Sequence, residues 1–346
     1  MTAVEPLEYE VVIVGGGPVG LVAAIEARLA GLTAVVLEQR GGTVDKACGE
    51  GLMPGAIPIL DRLGVDPAGM PIRGITYVQG HRSVTHRFVG GPGRGVRRLE
   101  LHEALTRRAR ELDVDFRVAR VDAIERSPEG VTVAGIRGRY LLACDGLHST
   151  VAEMVGLSRP APKRGRRYGI RQHFEVAPWS DTVEVYYGAS AEIYVTPIAA
   201  GEVGIAMLGG RRTDFDAAIA ATPALVSRLA GAAPASTRRG AGPFRQRTRA
   251  RTSGRVLLVG DASGYVDAIT GEGLRVGFAQ AAAAVAAVVA DNPKGYERDW
   301  MRITRGFRMT TTALVRIATG PLRGGIVPLS ALLPGRFGAV VESLAR

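Results

Sequence analysis

Val11-Val12-Ile13-Val14-Gly15-Gly16-Gly17-Pro18-Val19-Gly20-Leu21-Val22-Ala23-Ala24 opens the interpretable part of the chain and decides its fold. Glu10–Val14 is a short apolar run suited to a buried strand, and Leu21–Ala30 is a helical run that Gly31 ends. Thr33–Leu37 is a second β-rich run, closed by Glu38. Strand, glycine turn, helix, strand is a βαβ unit. Gly15, Gly17 and Gly20 fit the G-x-G-x-x-G spacing in the context that spacing requires. The first glycine permits the tight turn, and the second lets backbone approach a pyrophosphate. The third allows helix and strand to pack closely. The helix N-terminus then faces the phosphates. Glu38 lies 23 residues after Gly15, where a carboxylate accepts both hydroxyls of an adenosine ribose and repels a 2′-phosphate.

Composition narrows the partners. The 346 residues are 46% hydrophobic and 22% charged, which excludes disorder over most of the length. A formal charge of +11 suggests nucleic acid, but only three of the 44 basic residues are lysine (Lys46, Lys163, Lys294). The basic clusters Lys163–Arg167 and Arg245–Arg251 carry no interleaved aromatics for base stacking, so nucleic acid is not expected. Cys48 and Cys144 form no CxxC pair and indicate neither a zinc site nor a disulfide framework. No metal site is expected. Met1–Glu10 holds three glutamates and no basic n-region, and the Ala-rich run Val276–Ala290 is too short to span a bilayer. A cytoplasmic protein is the expectation.

Arg98–Leu112 reads as a helix, and Val114–Val118, Ala123–Arg126 and Val131–Val133 as strands of a meander. Tyr140–Cys144 is a buried strand ending at Asp145-Gly146. From about Arg166 the texture changes to short strands: Tyr168–Val176, Thr182–Tyr187, Glu192–Thr196 and Glu202–Leu208. Ile170, Gln172, Phe174 and Val176 alternate with Arg171, His173 and Glu175, which predicts an antiparallel sheet with one packed face. Asp214–Leu229 is a helical connector. After Asp299 the chain is basic and apolar, with Pro321, Pro328 and Pro334 breaking it into short helices that pack on the body, close over a site or lean on a membrane surface.

A glycine turn alone fits NAD or FAD. The run Val256-Leu257-Leu258-Val259-Gly260-Asp261-Ala262 is a buried strand ending in aspartate, and Thr270-Gly271-Glu272-Gly273-Leu274 then opens a helix. This pair resembles the second FAD fingerprint of glutathione-reductase-type flavoproteins. The resemblance implies Asp261 on the ribityl chain and Gly271, Gly273 and Leu274 at the flavin, with a positive helix end favouring reduced flavin. Leu142-Ala143-Cys144-Asp145-Gly146 resembles the "DG" fingerprint of flavin hydroxylases, implying a cofactor role for Asp145. Together the motifs resemble the para-hydroxybenzoate-hydroxylase-like superfamily, which includes aromatic monooxygenases, flavin halogenases and geranylgeranyl reductases. That places Arg98 near the FAD pyrophosphate; Pro18 and Arg40 belong to the same expected cofactor contact.

The expected architecture is α/β: a discontinuous Rossmann-type FAD-binding domain (1–75, 96–160, 251–298), an inserted antiparallel β-sheet substrate domain (76–95, 161–250) and C-terminal helices (299–346). Within the superfamily, Cys48-Gly49-Glu50-Gly51-Leu52 resembles the cysteine-glycine segment beside the flavin of geranylgeranyl-reductase-type proteins. Cys48 is therefore both a cofactor contact and the candidate catalytic residue, with Lys46 close enough in sequence to favour thiolate. Glu50 either relays a proton or is solvated. Against a simple lipid reductase, Tyr194-Val195-Thr196-Pro197 lacks the aromatic-rich segment those enzymes commonly show. His173 and Tyr194 are the candidate substrate contacts.

The leading expectation is a single-component monooxygenase hydroxylating a hydrophobic aromatic or polyketide-like molecule, with NADH or NADPH as transient donor, since only one dinucleotide fingerprint is present. The alternative is a reductase or dehydrogenase of an isoprenoid or lipid chain. A third, of another class, is a non-catalytic FAD-binding redox sensor.

Overall fold

Tyr9–Val14 is buried on both faces, as a central parallel strand must be. Val11 and Ile13 pack with the helices Pro18–Leu29, Arg98–Glu111 and Gly273–Val289 on one side of the sheet. Val12 and Val14 pack with Val131, Val133 and Val151 on the other. Each such side chain contributes about 1.5–3 kcal/mol by leaving water. A computed structural model describes residues 8–43, 45–162 and 165–345. The acidic stretch before residue 8, and Lys163 and Arg164 of the first basic cluster, lie outside the described residues.

The sheet order is Thr252–Ser253, Val256–Leu258, Ile136–Ala143, Tyr9–Val14, Ala34–Glu38, Asp115–Val118. From Val256–Leu258 to Asp115–Val118 every pairing is parallel. This is the doubly wound order, which leaves a crevice beyond the carboxyl ends of the central strands. One expectation needs correcting. The strand near Val114–Val118 is not part of the meander: it pairs with Ala34–Glu38 at the far edge. The meander is Ile124–Arg126, Val131–Val133 and the start of Ile136–Ala143.

The second sheet runs Ala233–Pro234, Arg167–Glu175, Glu202–Gly210, Ala191–Ala199, Val183–Tyr187, Gly74–Gln79, Arg82–Arg87. Its pairings are antiparallel except Val183–Tyr187 with Gly74–Gln79. Both faces are covered, so the expected single packed face is wrong. Ile193, Ile205 and Met207 pack beneath Phe215–Ala220 and Pro223–Arg228, the expected connector broken at Pro223. On the opposite side Val185, Tyr187 and Leu208 meet Ala318, Ile326 and Val327 of the C-terminal helices.

The C-terminal region also departs from expectation. Pro293–Thr319 is one helix of 27 residues, its N-terminus capped by the Asn292 side chain accepting from Gly295 N at 3.1 Å. Proline breaks the chain only beyond it, into Ile326–Leu332 and Pro334–Ala345.

Candidate functional site

The glycine turn is held by backbone and by two acid–base side chains. Gly15 has φ +106°, and its N–H donates to Leu37 O at 2.8 Å. Glu38 accepts from Gly16 N at 2.9 Å and from Arg40 N at 3.2 Å, one bond per carboxylate oxygen. Each oxygen keeps a further lone pair. His102, on the neighbouring helix, donates Nε2–H to Gly16 O at 2.9 Å. Burial holds its imidazole below the usual range, so it stays neutral while making that bond.

Beyond the turn lies a cavity of about 590 Å3, lined by loops that follow the parallel strands and by strands of the second sheet. Of the expected residues, Gly17, Pro18, Arg40, Cys48, Arg98, Tyr194, Asp261, Gly271, Gly273 and Leu274 all line it, although they come from five separate stretches of chain. Gly15, Gly20, Glu38, Asp145 and His173 are not on its wall. Asp145 turns away into its own loop, accepting from Ser149 Oγ at 2.7 Å and Val151 N at 3.1 Å, where it ties down the short helix Thr150–Met154.

One end of the cavity is electrostatically unbalanced. Arg98 opens the helix Arg98–Glu111, and its Nε is buried with no partner. Burial, and then the neighbouring Arg98 and Arg40, hold the Lys46 ammonium below its usual range. Burial pushes Asp261 up to about 6 although Arg98 and Lys46 pull it down. A Cβ at Gly17 would stand 3.7 Å from Arg98 Nη2, so glycine keeps open the space in front of the guanidinium. An unpartnered guanidinium nitrogen, a neighbouring ammonium and an open glycine backbone fit a pyrophosphate. The residues present therefore fit FAD.

Asp261 yields a prediction with two opposite signs. Its folded pKa, about 6, exceeds the unfolded value of about 3.9. Its contribution to stability is therefore full below about pH 4 and is lost as pH rises through about 6. Asp261→Asn should stabilise flavin-free protein at pH 8 by roughly 1–2 kcal/mol, with little effect at pH 4. The same substitution should weaken flavin retention. Thermal unfolding of the apoprotein and the flavin content of purified protein check the two halves separately.

Cys48 lies on the wall, its Sγ accepting from Glu50 N at 3.4 Å. Burial pushes the thiol up, against the pull of Arg98. Lys46 does not activate it, which corrects the expectation of a thiolate. Alkylation of Cys48 by iodoacetamide should be slow at pH 7 and should still be rising above about pH 8.5, where a free thiol would be levelling off.

Glu50 is neither solvated nor loosely placed: it is 4% exposed and has φ +58°. Its Oε1 accepts from Arg98 N at 2.9 Å, and Oε2 meets His173 Nε2 at 2.5 Å. Arg97 Nη2 and Arg171 Nη1 both point at His173 Nδ1 at 3.2 Å, with Ser236 Oγ at 2.8 Å. Guanidinium groups only donate, so Nδ1 is the acceptor and Nε2–H donates to Glu50. His173 is 1% exposed and its ring is spent on this cluster; the expected substrate contact is corrected to a pin that ties the loop carrying Glu50 to the second sheet. Arg171 continues the cluster to Asp45, which also accepts from Arg239 at 3.1 Å.

Tyr194 reaches the cavity, its hydroxyl donating to Ile269 O at 3.0 Å. Sequence reasoning missed His102, Arg171 and Glu272. Glu272 is buried beside Arg275 at 2.6 Å, and burial pushes it up to about 7. A charged residue inside an otherwise apolar strand or glycine loop is the signal that could have marked the last two.

Three comparisons bear on this geometry. The chain is 30% identical over 321 residues to 12-dehydrotetracycline 5-monooxygenase/anhydrotetracycline 6-monooxygenase of Streptomyces rimosus, covering 80% of this chain and 61% of that protein. It is 26% identical over 294 residues to digeranylgeranylglycerophospholipid reductase of Methanococcus vannielii, covering 77% and 73%. The flavin-dependent brominase Bmp2 superposes with a TM-score of 0.83 at 17% identity, over 97% of this chain and 93% of that one, which speaks to fold alone. The chain spans about three fifths of the length of the first curated relatives it matches. A family model described as FAD binding domain matches residues 8–295. With that match over most of its length, and a cavity whose polar end fits the cofactor, the chain belongs to the FAD-binding domain family.

Proposed function

We propose that the protein is an FAD-dependent monooxygenase that hydroxylates a hydrophobic aromatic or polyketide-like small molecule, with NADH or NADPH as the transient electron donor. One observation carries this reading: the cavity runs without interruption from the polar cofactor end to a wall of Ile75, Tyr77, Val185, Leu208 and Phe244. Gly17, Pro18, Arg40, Lys46 and Arg98 would hold the pyrophosphate end of FAD, and Asp261, Gly271, Gly273 and Leu274 the flavin end. Bound flavin supplies the electrons and the reaction with oxygen.

The chain's own residues do the rest. Leu314, Val341 and Leu344 close the apolar end with the C-terminal helices and exclude water there. The N-terminus of the helix Gly273–Val289 and the Arg98 guanidinium present positive charge to whatever anionic group the cavity holds. Tyr194, its own proton given to Ile269 O, keeps acceptor lone pairs for a substrate hydroxyl. The similarity to 12-dehydrotetracycline 5-monooxygenase/anhydrotetracycline 6-monooxygenase supports a polyketide-like aromatic as the first substrate class to test.

The second reading is reduction of an isoprenoid or lipid chain, favoured by the Cys48-Gly49-Glu50-Gly51 segment on the cavity wall and the relationship to a geranylgeranyl-type reductase. Incubating holoprotein with NADPH, 18O2 and a panel of polycyclic phenols and polyprenyl lipids separates the two. A phenol product carrying one 18O atom supports hydroxylation. A saturated polyprenyl product without 18O overturns it in favour of the reductase.

A further inference from the structure

Between Asp299 and Glu342 the chain has no acidic residue and six arginines: Arg302, Arg305, Arg308, Arg316, Arg323 and Arg336. The same stretch holds four leucines that the fold leaves outside. Leu322 is 67% exposed, Leu329 57%, Leu332 75% and Leu333 46%. The helix Ile326–Leu332 explains why three of them share a side. Ile326 and Val327 are buried against the substrate sheet, while Leu329, Leu332 and Leu333 fall at helical i, i+3, i+4 spacing on the side turned away. Scattered exposed leucines are ordinary, but four within twelve residues are not. Arg316 and Arg336 flank them and are exposed.

The segment is anchored and does not dangle. Arg323 points inward, pairing with Glu192 at 2.6 Å and donating to Gly188 O at 2.7 Å. Among the described residues no single helix is long and apolar enough to cross a membrane, and Pro321–Leu332 and Pro334–Ala345 meet at a bend of 105°. Phe337, Val341 and Leu344 of the second arm are buried in the protein. A surface-lying attachment is therefore the geometry available.

We propose that this face docks on an anionic lipid bilayer, the leucines entering the interface and Arg316 and Arg336 pairing with lipid phosphates. The charge pattern selects that occupant over a second copy of the chain. A two-fold contact would set arginine-only surfaces against each other, whereas anionic headgroups complement them. The consequence for access follows from the inner side of the same cap: Leu314, Val341 and Leu344 line the cavity. A lipophilic molecule dissolved in the bilayer would meet this cap before any other part of the protein. The docking itself does not depend on which flavin reaction the cavity supports.

Holoprotein is co-sedimented with phosphatidylcholine vesicles and with vesicles that also contain phosphatidylglycerol. Binding is expected to the anionic vesicles and to fall as salt rises. The combined change Leu329→Ser, Leu332→Ser and Leu333→Ser should lower partitioning about tenfold or more while leaving flavin absorbance intact. Arg316→Gln with Arg336→Gln should remove the preference for phosphatidylglycerol. Absence of binding to both vesicle types overturns the proposal, as does equal binding by the leucine variant with its flavin intact. Concentration-dependent dimerisation in light scattering, abolished by the same serines, would reassign the face to self-association.

Discussion

Gly20→Ala is expected to give a protein that either fails to accumulate in soluble form or purifies without flavin. A Cβ at position 20 would lie 1.9 Å from Gly15 O and 3.2 Å from Cys144 Cβ. Neither neighbour can yield. The Gly15 carbonyl belongs to a turn whose N–H is bonded to Leu37 O, and Cys144 N is bonded to Val14 O at 2.7 Å. The helix Pro18–Leu29 would have to back away from the sheet, opening the packing of Leu21, Val22 and Ile25 against it. The cost should exceed about 4 kcal/mol, above the usual range for overpacking, because neither neighbour can move aside. Gly17→Ala is the informative control. Its Cβ meets only Arg98 Nη2, at 3.7 Å, so the fold should survive while the space in front of the guanidinium shrinks. Thermal unfolding together with flavin content distinguishes them: Gly20→Ala should lose both, Gly17→Ala mainly flavin. Equal unfolding midpoints for Gly20→Ala and the unmodified protein would show that the helix adjusts without cost.

That contrast also explains what could be read before the fold was known. The spacing of Gly15, Gly17 and Gly20 carried the strand, turn and helix because all three constraints are local. The parts given to Gly17 (ligand approach) and Gly20 (helix–strand packing) were local in the same way, and of the three only Gly17 borders the cavity. The Asp261 and Gly271–Leu274 stretch was legible for the same reason: an apolar strand, a polar end and a glycine turn are neighbours in sequence. Asp115–Val118 was read as a strand but given the wrong partners, because alternation reports a pleat and not what pairs with it. Arg171 and His173 were read only as alternating with Ile170 and Phe174 across a sheet with one packed face, a pattern that marks two faces without saying which is dry. Their neutralising partners, Asp45 and Glu50, lie more than 120 residues away. Asp145 shows the converse error, a motif residue whose carboxylate the local loop consumes.

Removing either half of the Glu50–His173 pair should be among the most destabilising changes available at the site. Both side chains are almost fully buried, and each is the other's nearest charged or ring partner. Glu50→Gln would leave Arg171, Arg97 and His173 facing a neutral amide, with Glu202 at 3.9 Å and Asp45 to offset them. His173→Leu would leave Oε2 of Glu50 without its hydrogen bond, while Arg171 Nε stands 3.9 Å from Oε1. Breaking one side of a buried pair costs about 3–5 kcal/mol, because the survivor stays desolvated and unpaired. The double variant should cost less than the sum, with a coupling of about 1–3 kcal/mol in denaturant unfolding. Glu50→Gly adds a separate handle: at φ +58° glycine relieves backbone strain, recovering up to about 1 kcal/mol of what the lost pair costs. The functional consequence travels through the same loop. Glu50 N holds Cys48 Sγ, and Thr196 Oγ1 donates to Gly49 O at 2.8 Å, so the 48–51 segment forms the cavity wall only while Glu50 is pinned to the second sheet. Flavin absorbance and fluorescence should therefore shift in both single variants under conditions where each remains folded. Strict additivity of the two stability losses, with an unshifted flavin spectrum, would show that the pair neither couples the loop to the second sheet nor shapes the site.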